Sequence, residues 1–227
     1  NNNGQTLHGG LKGLDMIVWD VDNVSDSQIV LSVLCPDGHD GMPGNRKIVM
    51  TYTLTSNNEL KIDYVAQTDK PTHMNISHHS FFNLKGEGNG TINDHVLYIN
   101  ASKTTPVDSA LIPTGEITDV TGTPFDFRNP KTIGKDLDEE NEQLKHGAGY
   151  DHNWEVFTAP CAILEDPKSG RTMAVSTDLP GIQFYTGNFL DEVGKGGVHY
   201  HKRSGVTMET QFYPDSVNKP QWKQPFV

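Results

Sequence analysis

Arg46-Lys47-Ile48-Val49-Met50-Thr51-Tyr52-Thr53-Leu54, then Thr55-Ser56-Asn57-Asn58-Glu59, then Leu60-Lys61-Ile62-Asp63-Tyr64-Val65-Ala66-Gln67, carries the clearest structural signal in the chain. Ile48, Met50, Tyr52 and Leu54 fall on one side of an extended backbone, and Leu60, Ile62, Tyr64 and Ala66 alternate with Lys61, Asp63 and Gln67. A period of two is the signature of a half-buried strand, because successive side chains leave opposite faces. Ser56-Asn57-Asn58 between the runs supplies turn chemistry, so the stretch predicts a β-hairpin. Similar alternation predicts strands over 28–34, 72–79, 95–99, 153–157, 172–177, 182–186 and 205–211, punctuated by Pro36-Asp37-Gly38 and by glycine clusters at 86–90 and 194–197. Helical periodicity is nearly absent; only 134–146, where acidic residues surround Leu137 and Leu144, reads as a short solvated helix or loop. Many short strands joined by Gly/Pro turns predict an all-β fold, a sandwich or barrel, in one domain spanning 1–227.

Composition narrows the partners. Eighteen Lys+Arg against 29 Asp+Glu leave a net charge of −11, which repels nucleic-acid phosphates and anionic lipid surfaces. No apolar run reaches the roughly 20 residues of a membrane helix, and Asn1-Asn2-Asn3-Gly4 has neither the basic nor the apolar part of a signal peptide. The expectation is a soluble, cytoplasmic protein with no nucleic-acid or membrane partner. Cys35 and Cys161 lie far apart in apolar surroundings, as buried free thiols do.

Strand parity gathers the reactive side chains. His73, Asn75, Ser77 and His79 share one face of the predicted strand, opposite Met74 and Ile76; Thr207, Glu209 and Gln211 oppose Val206 and Met208; Gln183 and Tyr185 oppose Ile182 and Phe184. If these strands share a sheet, the apolar sides form a core and the polar sides line a wet cleft suited to a sugar. Histidines with carboxylates are what a reaction needs when it takes a proton from one oxygen and delivers one to another near neutral pH. His8, His79, Asp151 and Glu209 are the candidates. Opening a hemiacetal ring is such a reaction, and it needs no cofactor and no metal.

At this point the chain resembles the aldose 1-epimerase (galactose mutarotase) family. The matching segments are Thr6-Leu7-His8-Gly9-Gly10, Asn75-Ile76-Ser77-His78-His79-Ser80-Phe81-Phe82-Asn83-Leu84, Pro106-Val107-Asp108 to Ile112-Pro113-Thr114-Gly115, Gly149-Tyr150-Asp151-His152-Asn153, Pro180-Gly181-Ile182-Gln183-Phe184-Tyr185-Thr186-Gly187-Asn188, and Glu209-Thr210-Gln211 to Pro214-Asp215-Ser216-Val217-Asn218-Lys219-Pro220, in order. The resemblance implies a large antiparallel β-sandwich that interconverts the α and β anomers of a free aldohexose. It implies Glu209 as catalytic base, His79 as acid at the ring oxygen, His8 as a hydrogen-bonding assistant, and Asp151 and Gln183 as holders of sugar hydroxyls. It further implies strands beyond both ends of this sequence, one carrying an arginine contact to the sugar, and His78 stands where the family often has Asn. A hexose-6-phosphate epimerase and a sugar-binding module without turnover are the rival readings.

Other motifs receive plainer readings. His152 and His78 are expected to be structural, and Trp19 and Trp222 to pack. Trp154, three residues after Asp151, is the one tryptophan that invites a role as a sugar platform. His199-Tyr200-His201 looks like a metal-binding pair, yet no third ligand stands at a suitable spacing, so a surface loop is expected there.

Overall fold

The computed structural model describes residues 4–227; Asn1-Asn2-Asn3, which entered the signal-peptide argument, lie outside the described residues. The chain divides into two compact units, one formed by residues up to Ile76 together with Gln224–Val227, the other by Ser77–Lys223. Among the described residues every strand pairing is antiparallel, and no helix is long and apolar enough to cross a membrane.

The first unit is built on a sheet of β1 (Asp20–Val24), β2 (Gln28–Cys35), β3 (Arg46–Leu54) and β4 (Leu60–Thr68), in that order. The predicted hairpin is present with its register: Ile48, Met50, Tyr52 and Leu54 stand opposite Ala66, Tyr64, Ile62 and Leu60. Equal parity on the two strands puts all eight side chains on one face. Val33, Cys35 and Ile48 are buried there against Trp19, Ala66, Met74 and Ile76. Gln224–Val227 join this unit: Val227 exchanges backbone hydrogen bonds with Thr72 (3.0 and 3.1 Å), Met74 N donates to Pro225 O at 2.7 Å, and the His73 and Phe226 rings meet edge to face.

The second unit contains β5 (Val96–Ile99), β6 (Lys103–Thr105), β7 (Thr118–Asp119), β8 (Lys131–Thr132), α1 (Glu142–Gly147), β9 (Asp151–Glu155), β10 (Ala162–Asp166), β11 (Arg171–Val175), β12 (Gly181–Tyr185), β13 (Glu192–Val193), β14 (His199–Tyr200) and β15 (Thr207–Gln211). One sheet runs β11-β10-β5-β8 and the other β15-β12-β9-β6-β7. Leu97, Ile99, Ala162 and Leu164 of the first and Trp154, Ile182, Phe184 and Met208 of the second bury into one common core. This is the predicted antiparallel sandwich arrangement, two sheets closing on their apolar faces. The acidic stretch ends in the short α1, whose first amides are capped by the Asn141 side chain, which accepts from Gln143 N and Leu144 N.

Two readings need correction. The predicted strand over 72–79 is not a ladder strand: within it only His73 makes a bridge, to Phe226, and further on the Ser77 hydroxyl donates to Thr210 O at 2.9 Å. The alternation is real, but its bridged part is confined to Thr72–Met74, which meets the short segment Pro225–Val227. Trp154 is no sugar platform. It is fully buried, with Nε1 donating to Phe125 O at 3.1 Å and its ring among Phe125, Phe127, Tyr150 and Phe184. Its parity in β9 is opposite to that of Asp151, so it faces the core.

Candidate active site

Three neighbouring strands of the second unit, β9, β12 and β15, build the site. Gln183 stands opposite Glu209 on one side and Asn153 on the other, while Tyr185 stands opposite Thr207 and Asp151. Directly paired residues share a face, so Asp151, Asn153, Gln183, Tyr185, Thr207, Glu209 and Gln211 form one polar surface. The alternate residues His152, Trp154, Ile182, Phe184 and Met208 turn into the core. At the edge of this surface Gly181 permits a close approach: an added Cβ would lie 2.4 Å from Asn153 Oδ1 and 2.9 Å from the Tyr213 ring.

Hydrogen bonds fix the orientation of these polar groups. Gln211 Nε2 donates to Asn153 Oδ1 (3.2 Å) and to Gln183 Oε1 (3.1 Å), and Gln183 Nε2 donates to Asp151 Oδ1 at 2.8 Å. The Thr207 hydroxyl donates to Glu209 Oε1 at 2.6 Å. His79 Nε2 lies 3.5 Å from that same oxygen; the imidazole is 38% exposed and the carboxylate only 12%. A ligand therefore reaches the ring more freely than the acid behind it. Phe81 and Tyr185 flank the imidazole, with ring centroids 5.4 and 6.5 Å away.

Electrostatics follow from this burial. Desolvation holds the Glu209 carboxyl above the usual glutamate range; His79 and the Thr207 hydroxyl work against that shift, and the neighbouring Asp151 charge adds to it. Asp151 is likewise raised by burial, opposed by the Gln183 hydrogen bond and by His79. His78 is pulled below the ordinary histidine range by burial and then by His79, and its Nε2 is 3.4 Å from the Ser80 hydroxyl. His152, expected to pack, is buried against Phe125, accepts from Asp151 N at 3.0 Å, and is pushed down to about 3 by burial. It is a neutral core histidine.

Of the residues singled out from the sequence, His79, Glu209, Asp151 and Gln183 come together in this unit. His8 belongs to the first unit, exposed on a turn at φ 52° and followed by Gly9 and Gly10, both also at positive φ. Sequence reading put Thr207 and Gln211 on the cleft face without giving them a role, and it missed Asn153 as a member of the network. Their signal was the parity itself, since each is the strand neighbour or register partner of a residue that was chosen.

An imidazole beside a screened carboxylate, on the open face of an antiparallel sheet lined with amide and acidic hydrogen-bonding groups, defines a β-sandwich protein equipped for acid–base chemistry on a polar ligand. The family model described as aldose 1-epimerase matches residues 1–227, and the chain belongs to the aldose 1-epimerase family. It is 44% identical over 226 residues to the galactose mutarotase of Bos taurus, covering 97% of this chain and 64% of that protein. It is 36% identical over 233 residues to the aldose 1-epimerase of Escherichia coli, covering 96% and 64%. Among solved structures, the aldose epimerase homologue of C. elegans superposes with a TM-score of 0.91 at 32% identity, over 100% of this chain and 69% of that one. Galactose 1-epimerase of Lactobacillus acidophilus gives 0.83 at 33%, over 94% and 63%. The chain thus spans just under two thirds of the length of these curated relatives.

Proposed function

We propose that this protein interconverts the α and β anomers of a free aldohexose, galactose or glucose, with Glu209 as base and His79 as acid. The observation that carries the proposal is the 3.5 Å approach of His79 Nε2 to Glu209 Oε1, with the imidazole 38% exposed and the carboxylate 12%. The anomeric hydroxyl and the ring oxygen of a cyclic sugar share one carbon, so a base and an acid acting on both must themselves be close neighbours. In this reading Glu209 removes the proton of the anomeric hydroxyl as the imidazolium of His79 protonates the ring oxygen. The bond from C1 to the ring oxygen breaks, and its electrons leave on that oxygen. Rotation about the bond to the free aldehyde, followed by the reverse proton transfers, closes the ring with C1 inverted. Protons are only redistributed, so the chemistry calls for no oxidant and no covalent nucleophile. Asp151 and Gln183, held to each other at 2.8 Å, are placed in this reading as partners for the sugar's other hydroxyls.

The names of the relatives support the substrate class, and the raised Glu209 carboxyl supports its role as a base stronger than an exposed glutamate. The reading includes a cytoplasmic location, supported by two buried thiols, Cys35 and Cys161, that remain unpaired. Polarimetry of freshly dissolved α-galactose should show faster approach to the equilibrium rotation than in buffer; no acceleration would defeat the proposal. The pH profile carries a second expectation. Only the ionised carboxylate accepts the proton, and its pKa is raised, so kcat/KM should fall with decreasing pH through a limb lying above the ordinary glutamate range. An acid limb at or below that range would remove Glu209 from the role.

A further inference from the structure

We propose that Asp191, His199 and His201 form a surface binding site for a divalent transition metal ion of the zinc class. The three residues lie on the hairpin of β13 and β14, where Glu192 pairs with Tyr200 and Val193 with His199. The same antiparallel register carried one residue further sets Asp191 across from His201. His199 and His201 are two apart along an extended segment and so leave it on the same side. Sequence spacing hid the third ligand, because Asp191 meets the histidines only once the hairpin has closed.

The geometry suits a metal. Each residue offers one ligand atom, and these atoms all lie within 4.8 Å of one another. His199 Nε2 is already 2.7 Å from Asp191 Oδ1, and the two imidazole rings are 3.8 Å apart. Tetrahedral coordination with bonds of about 2.0–2.1 Å holds ligand atoms roughly 3.3 Å from each other, so modest side-chain rotations bring all three to one ion. Two imidazoles and a carboxylate are a borderline donor set that favours zinc, copper or nickel over the all-oxygen shells of calcium and magnesium. An ion pair between His199 and Asp191 accounts for less: at 42% and 80% exposure such a pair is weak, and it leaves the second imidazole, 3.8 Å from the first and tilted 46° to it, outside the pair. With three protein ligands exposed on the surface, the remaining position is open to water.

The hairpin's place in the chain gives the site a consequence. It is the connection between β12, which carries Gln183, and β15, which carries Glu209. A two-stranded ribbon has little stability of its own, and this one turns through Lys195–Gly197 with Gly196 and Gly197 at positive φ. An ion held by Asp191 on one side and both histidines on the other would staple it shut and slow proteolysis at its tip.

Calorimetric titration of the intact protein with zinc chloride tests the site, alongside copper(II) electron paramagnetic resonance. The wild type should bind one ion at this site, and the copper spectrum should carry splitting from two imidazole nitrogens. The double substitution His199→Gln/His201→Gln, at exposed positions that leave the core untouched, should weaken zinc binding at least about tenfold and abolish the two-nitrogen pattern. Because metal binding competes with imidazole protonation, affinity should also decline in acid. Unchanged zinc affinity in the double variant, or a copper spectrum that this substitution does not alter, would overturn the proposal. Those outcomes would assign any bound metal to other histidines of the chain. The sugar chemistry proposed for Glu209 stands or falls separately.

Discussion

Glu209→Gln should lower the rate of anomer interconversion by about 10²–10⁴-fold without destabilising the fold at neutral pH. The amide keeps the shape of the carboxyl and can still accept from Thr207, whose hydroxyl donates to Oε1 at 2.6 Å, but it takes up no proton from a sugar hydroxyl. Stability should respond in the opposite sense. A carboxyl whose folded pKa is raised binds its proton more tightly in the native chain than in the unfolded one. Its favourable contribution is therefore present in acid and is lost as pH rises through the raised value. Removing that charge relieves the desolvation penalty above this range. Polarimetric rates together with urea unfolding at two pH values check both halves. A variant that retained wild-type rate would eliminate the proposed base, whereas one that lost rate and stability together would mean only that the site had collapsed.

Trp154→Ala should destabilise the second unit by about 3–5 kcal/mol, the usual range for deleting a buried large aromatic. The ring has no exposed surface, its centroid lies 5.8–6.4 Å from those of Phe125, Phe127, Tyr150 and Phe184, and its indole N–H satisfies Phe125 O, which the substitution leaves without that donor. The damage should extend to the polar face, because Trp154 sits in β9 between Asn153 and Glu155 and pairs with Ile182. Trp154→Phe keeps part of the ring and should lose less. Denaturant midpoints followed by circular dichroism measure both. A loss under about 0.5 kcal/mol for the alanine variant, the level of ordinary surface substitutions, would contradict the burial described.

Much of this architecture is legible in the chain because parity survives translation into structure. Arg46–Leu54 and Leu60–Thr68 alternate so regularly that both strands and their shared face follow from the residues alone. The same logic placed Gln183 and Glu209 on polar faces opposite Phe184 and Met208. Parity says which face a side chain takes and nothing about which strand lies beside it. The hydrogen bond from Gln183 to Asp151 therefore depends on a pairing between β9 and β12 that no local pattern announces. Strands of two or three residues such as Lys103–Thr105, Thr118–Asp119 and Lys131–Thr132 are too short to show a period. Asp20–Val24 is exposed along its whole length and so lacks an apolar side. The segment over 72–79 shows the reverse failure, an alternating stretch that is bridged at its start alone, where Thr72–Met74 meets Pro225–Val227.

The pairing of Thr72 and Met74 with Val227 and Pro225 also sets an order of events during biosynthesis. β1 through β4 precede Ser77–Lys223 in the chain, whereas Pro225 and Val227, the partners of Thr72 and Met74, follow it. For that interval Thr72 and Met74 carry backbone groups without the partners they have in the folded unit. The first unit is thus discontinuous in sequence, and its closure waits on a segment made after Glu209.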